Sequence, residues 1–193
     1  MQSIAQAGLY YGKDVFDQER YRRIREIACE MIALQSELPM EKVKDLFGCE
    51  VGYQTPKLDT RAAVFQGEKI LLVKEKNGTW SLPGGWADVN LSVKESAVKE
   101  VKEEADLDVT AELLIAVQDR EKHNLPVYAY KVCKIFVLCS VVGGCFSPNI
   151  ETRESSYFGL QDLPPLATEK NTEEQIQMCF DAYHAANWVT KFD

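Results

Sequence analysis

Glu100, Glu103 and Glu104 stand at i, i+3 and i+4 in Lys99-Glu100-Val101-Lys102-Glu103-Glu104, so on a helix their carboxylates lie within reach of one another. Three like charges near a helix C-terminus, where the dipole already presents partial negative charge, are each unfavourable by a few tenths to about 1 kcal/mol. A divalent cation would relieve that crowding. Carboxylate oxygens in this number suit Mg²⁺, with Mn²⁺ as a substitute, because these ions keep open positions for water and phosphate oxygens. Upstream lies a glycine turn, Leu82-Pro83-Gly84-Gly85-Trp86. Alone, the triplet reads as a solvated acidic helix end and the glycine pair as an ordinary turn. Together they suggest a site for a hard cation and, through it, a phosphate.

The bulk numbers agree with that chemistry. With 193 residues, 46% of them hydrophobic, the chain can bury a core for one domain plus an appendage, or for two small domains. A net charge of -8 works against a nucleic-acid partner, whose backbone needs clustered Lys and Arg. An anionic small molecule would also be repelled unless a bound cation reverses the local field. No apolar run approaches the ~20 residues of a membrane span. Met1-Gln2-Ser3-Ile4-Ala5 lacks the basic start and apolar core of a secretory signal, which makes the expected location cytoplasmic. The six cysteines are scattered, with no C-x-x-C pair, and are expected to be buried reduced thiols.

The elements that must position the site follow from periodicity and caps. Ser92-x-x-Glu95 is a capping box, predicting a helix from Val93 to about Ala105 with Ala97, Val98, Val101 and Ala105 inward. Earlier, Asp14 to Gln35 carries Phe16, Tyr21, Ile24, Ile27, Ala28, Met31 and Ile32 at helical spacing; Arg22, Arg23 and Arg25 read as part of its solvated face. Pro39 opens a short helix with Met40, Val43, Leu46 and Phe47 inward and Gly48 as its stop. The grammar changes at Val51 to Lys57, dividing a helical domain, 1–57, from a second domain, 58–193. There, Arg61 to Phe65 and Lys69 to Val73 form a hairpin, and Thr79 to Leu82 is a short strand entering the glycine turn.

Further strands are expected at Leu107 to Glu112, Leu113 to Gln118, Val127 to Tyr130, Lys134 to Val142 and Tyr157 to Leu160, with a polar loop at Asp119 to Asn124. Thr172-x-x-Gln175 caps a final helix with Ile176, Cys179, Phe180 and Tyr183 inward. The expected fold is α+β, a mixed sheet between helices, with a small helical N-terminal domain.

Trp80-Ser81-Leu82-Pro83-Gly84-Gly85 followed by Lys99 to Glu104 resembles the signature of the Nudix hydrolases, G-x5-E-x7-R-E-U-x-E-E-x-G-U with U aliphatic. The chain matches at Gly85, Glu100, Val101, Glu103, Glu104 and Leu107; it departs at Leu91, Lys99 and Asp106, where the family has Glu, Arg and Gly. The runs Gly52 to Arg61, Gly85 to Asn90, Asp119 to His123 and Pro148 to Thr152 are similar to a bacterial subgroup with a helical N-terminal domain. Its members, CDP-choline pyrophosphatases and some ADP-ribose pyrophosphatases, hydrolyse nucleoside diphosphates linked to another moiety.

The resemblance implies that Glu100, Glu103 and Glu104 hold Mg²⁺, with the Gly84 carbonyl as an additional ligand, and that water attacks a diphosphate phosphorus. It places a base or further ligand in a later acidic loop, at Glu151 or Glu154, with Glu151 preferred. Arg120, Lys122 and His123 are candidate substrate contacts, as are Arg61 and Lys74 of the first hairpin, and Trp86 is placed to stack on a base or to pack. His184 reads as structural. A homodimer built through the helical domain is expected, with a small nucleotide as substrate. Leu91 and Lys99 also admit a non-catalytic nucleotide sensor on the same fold.

Overall fold

The computed structural model describes residues 1–36, 39–44, 51–128, 131–146 and 154–193. Leu46, Phe47, Gly48, Cys49 and Glu151, and the second half of the strand expected at Val127 to Tyr130, lie outside them. Two compact units result, Met1–Pro56 with Val127–Lys131, and Lys57–Pro126 with Val132–Asp193. No helix among the described residues is long and apolar enough to cross a membrane.

The first unit is helical: α1 (Gln2–Tyr11), α2 (Val15–Ser36) and α3 (Met40–Val43). The sequence reading contains no α1, and its burial shows why: the inward residues are Gln2, Ala5 and Gln6, so no apolar stripe betrays it. Gln6 is anchored instead by a hydrogen bond from its Nε2 to the Gly52 carbonyl at 2.9 Å. In α2 the predicted stripe is only partly used. Ala28 and Cys29 are buried, and Cys29 packs with Val43, Ile32, Ala33 and Met40, but Phe16, Ile24, Ile27 and Met31 are exposed.

The second unit is built on β1 (Lys57–Gln66), β2 (Lys69–Lys74), β3 (Trp80–Ser81), β4 (Leu107–Asp119), β5 (Val132–Gly144), β6 (Ser155–Phe158) and β7 (Lys191–Phe192). The strands run in the order β3-β2-β1-β5-β4-β7, with β6 paired to β2. The sheet is mixed: β1 lies parallel to β5 and β7 to β4, and the remaining pairs are antiparallel.

Strand alternation divides the core between two helices, α4 (Val93–Ala105) and α6 (Glu173–His184). Ala62, Val64, Leu71, Val73, Ile135 and Val137 meet Ala97, Val101 and Ala105 of α4. Their neighbours Ala63, Ile70, Leu72 and Phe136 point the other way, to Ile176, Cys179 and Phe180 of α6. Both predicted capping boxes form, at Ser92 with Glu95 and at Thr172 with Gln175. The expected α+β architecture, a mixed sheet between helices with a helical N-terminal domain, is the one observed.

Four expectations are corrected. Leu107 to Glu112 and Leu113 to Gln118 are one 13-residue strand, β4, whose register shifts against β5 disturb the alternation on which the division rested. Asp119 to Asn124 is a helical turn, α5 (Arg120–His123), capped by the Asp119 side chain. Val127 and Tyr128 belong to no strand. Of the cysteines, Cys29, Cys139 and Cys179 are buried, and burial pushes the Cys139 thiol up to about 12, but Cys145 is exposed.

Candidate active site

The chain between Leu82 and Ala87 runs back along β1 and is fastened to it through main-chain groups. Ala62 N–H donates to Pro83 O, Thr60 N–H to Gly85 O, both at 2.8 Å, and Ala87 N–H to Leu58 O at 3.0 Å. At Gly84 so close an approach leaves no room for a side chain. A Cβ at Gly84, whose φ is +150°, would stand 1.9 Å from the Thr60 carbonyl oxygen, and one at Gly85 would stand 3.0 Å from a Glu100 carboxylate oxygen. Gly84 N–H donates to Glu104 Oε2 at 2.9 Å, which joins the turn to α4.

The carboxylates of α4 differ in environment. Burial pushes the Glu104 carboxyl up to about 7; the Gly84 N–H and the Arg61 charge favour its ionised form, and Glu100 opposes it. Glu103 is half-exposed and accepts from Lys99 Nζ at 2.6 Å. Lys99 also lies 3.5 Å from Asp88. At the helix end Asp106 adopts the left-handed conformation, φ 52° and ψ 26°, and its carboxylate is 2.7 Å from Lys102. Among the described residues no three His, Cys, Asp or Glu side chains gather on one point as metal ligands; Glu103 is paired with Lys99 and Glu104 with the Gly84 N–H. The donor set itself fits a hard divalent cation: oxygen ligands on one helix, one of them a desolvated carboxyl with a second carboxylate acting on it.

Beneath the turn lies a charged cluster that the sequence reading missed. Parallel pairing sets Lys134 beside Asp59, and its Nζ is 2.6 Å from Asp59 Oδ2. Arg61 donates to both Asp59 oxygens, at 3.1 and 2.7 Å, and through Nη1 to the Leu82 carbonyl at 3.2 Å. All three side chains are buried. Burial alone would raise the Asp59 carboxyl, but Arg61 and Lys134 hold it below the usual range. Burial, with Arg61 nearby, brings Lys134 down to about 8. Alongside, Glu75 accepts from Ser81 Oγ at 2.6 Å and from Lys170 Nζ at 2.5 Å, and Leu82 N–H donates to buried Asn171 Oδ1 at 2.8 Å.

Several expected contact residues are placed otherwise. Arg61 is enclosed as described. Arg120 is also buried, donating to the carbonyls of Glu169 and Pro126, so it braces two loops from within. His123 Nε2 lies 2.5 Å from Asp193 Oδ2, near the end of β4 and away from the turn's own contacts. Lys74 and Glu154 pair with each other at 2.8 Å, and Lys74 also sits over the Trp80 ring. Trp86 is half-exposed beside the turn and Lys122 is exposed on α5.

Residues 56–179 match the model described as the NUDIX domain, and residues 1–47 match one described as a UDP-X-like, N-terminal oligomerisation domain. The chain therefore belongs to the Nudix family, and it is a Nudix hydrolase of the pyrophosphohydrolase type. A Bacillus subtilis (strain 168) protein named "Putative ADP-ribose pyrophosphatase YjhB" is 44% identical over all of this chain and 93% of its own length. An ADP-ribose pyrophosphatase crystal structure from Streptococcus suis 89-1591 is 55% identical, covers 72% of this chain and all of its own, and superposes with a TM-score of 0.68. A UDP-X diphosphatase structure is 32% identical, covers 99% of this chain and 94% of its own, and has a TM-score of 0.68.

Two outcomes follow from the charges. Asp59→Asn leaves Arg61 and Lys134 buried without their carboxylate and is expected to cost about 3–5 kcal/mol, read from the urea midpoint; a loss below about 1 kcal/mol would contradict the cluster's role. Glu104 ionises near 4.5 when unfolded and at about 7 when folded, so the folded state holds the extra proton between those values. Stability of metal-free protein is thus expected to fall as pH rises through that window, by roughly 3 kcal/mol. Glu104→Gln, neutral throughout, should show a smaller fall in chelator-treated melting curves, and an unchanged pH profile would refute the assignment.

Proposed function

We propose that this hydrolase cleaves the diphosphate of a nucleoside diphosphate linked to another moiety, with ADP-ribose as the leading substrate. The observation that carries it is the contact of α4 with the glycine turn, which sets Glu100 and Glu104 against Gly84 and Gly85. The choice of ADP-ribose is supported by the names of the B. subtilis relative and the S. suis structure; CDP-choline is the alternative within the same chemistry.

In this reading Glu100, Glu103 and Glu104 hold Mg²⁺, or Mn²⁺ in its place, and the Gly84 carbonyl adds a ligand. The ion, when bound, neutralises diphosphate charge and makes a bound water acidic. Glu103, now paired with Lys99, would be one of the residues holding the ion, and Glu104 would be oriented for it by the Gly84 N–H. Water adds to one phosphorus and the bridging P–O bond breaks, giving a nucleoside monophosphate and a phosphorylated partner; for ADP-ribose these are AMP and ribose 5-phosphate. Glu151 is the proposed acceptor of the water proton, since Glu154 is occupied by Lys74. Half-exposed Trp86 and exposed Lys122 are proposed to meet the base or the phosphates.

The helical unit is proposed to pair with a second copy of itself. Ile24, Ile27 and Met31 of α2, with Phe16, leave an apolar stripe exposed, and the matching of residues 1–47 to an oligomerisation domain supports the same use.

ADP-ribose is expected to yield AMP only with a divalent cation, and Glu103→Gln is expected to lower kcat by about 10²-fold or more with the circular dichroism spectrum unchanged. A nucleotide panel giving no metal-dependent monophosphate would overturn the activity. In light scattering the chain should run as a dimer and Ile24→Glu/Ile27→Glu as a monomer; a monomeric parent chain would dismiss the pairing.

A further inference from the structure

The glycine turn is held at every step, but mostly by main-chain groups that any sequence would supply. Leu82 is different. This fully buried residue is pinned at both polar groups by buried side chains, its N–H by Asn171 Oδ1 at 2.8 Å and its carbonyl by Arg61 Nη1 at 3.2 Å. Two residues on, Gly84 N–H meets Glu104. Arg61 is itself immobilised: Asp59 takes two of its donors, and Lys134 holds Asp59 from the adjacent strand.

Burying three charges at this point has no evident value for packing. Ion clusters of this kind are commonly matched or bettered by apolar residues of similar volume, because removing the charges from water is so unfavourable. Arg61 has one property an apolar residue lacks, a planar fork that serves Asp59 and the Leu82 carbonyl at the same time. Its charge also acts on Glu104.

The geometry points to Arg61 as a positioning residue for hydrolysis, held by Asp59 and Lys134, which sets the Leu82–Gly84 chain so that the Gly84 amide orients Glu104. This rests on the assignment of Glu104 to the metal site. It does not need Arg61 to touch substrate, and burial beneath the turn denies it that contact.

The test separates positioning from stability. Arg61→Lys keeps the charge and most of the volume but lacks the separate nitrogens by which the fork reaches the two Asp59 oxygens and the Leu82 carbonyl; Arg61→Met removes the charge as well. In metal-free protein the backbone amide resonance of Gly84 is expected to move in both variants, read by ¹⁵N-correlated NMR without substrate. In the folded variants, kcat for ADP-ribose is expected to fall about 10- to 100-fold, with KM changed less than about threefold, because a small misplacement near the reacting groups affects turnover before affinity. Should Arg61→Met not fold, Arg61→Lys carries both measurements. An unmoved Gly84 resonance with parental kcat in folded Arg61→Lys would overturn the inference. If Gly84 moves while even the parent protein fails to hydrolyse ADP-ribose, the positioning stands and the substrate assignment falls.

Discussion

The second unit depends on how closely the Leu82–Ala87 chain approaches β1. With the Thr60 oxygen 1.9 Å from where a Gly84 Cβ would be, no other residue fits without displacing backbone. That proximity lets Thr60 and Ala62 spend their N–H groups on the turn, so a segment without regular structure is held as firmly as a strand. It also turns Gly84 N–H outward to Glu104. Sheet, turn and α4 are thereby tied together through two glycines that contribute backbone alone.

Charge is arranged around that tie with little surplus. Asp59, Arg61 and Lys134 carry one negative and two positive charges under the turn, and the carboxylates of Glu104 and Glu75 both act on Arg61. Glu100 works against the ionised form of Glu104. On the proposed reading, a chain of net charge -8 meeting a diphosphate needs further positive charge there, and a divalent cation held by the α4 carboxylates would supply it.

What the sequence made legible is local. The capping boxes and the first hairpin each depend on residues a few positions apart, and all appear as expected; the i, i+3, i+4 carboxylates sit on α4 as the spacing requires, without gathering on one point. The missed features depend on distant partners. Lys134 reads as the polar start of an apolar strand until β5 is laid parallel to β1, which brings it to Asp59 across 75 positions. Arg120 reads as a loop cation until residues 126 and 169 are folded over it. Asp59 and Arg61, two charges on one face of a buried strand, were the available signal, since such residues are rarely enclosed unless paired.

The departures from the family signature show that a motif records interactions and not letters. At Leu91 and Lys99 the signature has Glu and Arg. Here the main chain turns between Asp88 and Leu91, with Leu91 N–H bonded to Asp88 O at 3.1 Å, and Asp88 comes within 3.5 Å of Lys99. An acid–base tie across the start of α4 is thus present, with its acid three residues before position 91. Asp106 occupies a left-handed position suited to glycine, at a cost of roughly 1 kcal/mol. Its carboxylate offsets part of that through Lys102, which also reaches Asp108 at 3.1 Å. Each departure is answered by a neighbour, and none disturbs Glu100 or Glu104. Glu103 is the one carboxylate of the three that Lys99 pairs with directly, through Oε2 at 2.6 Å.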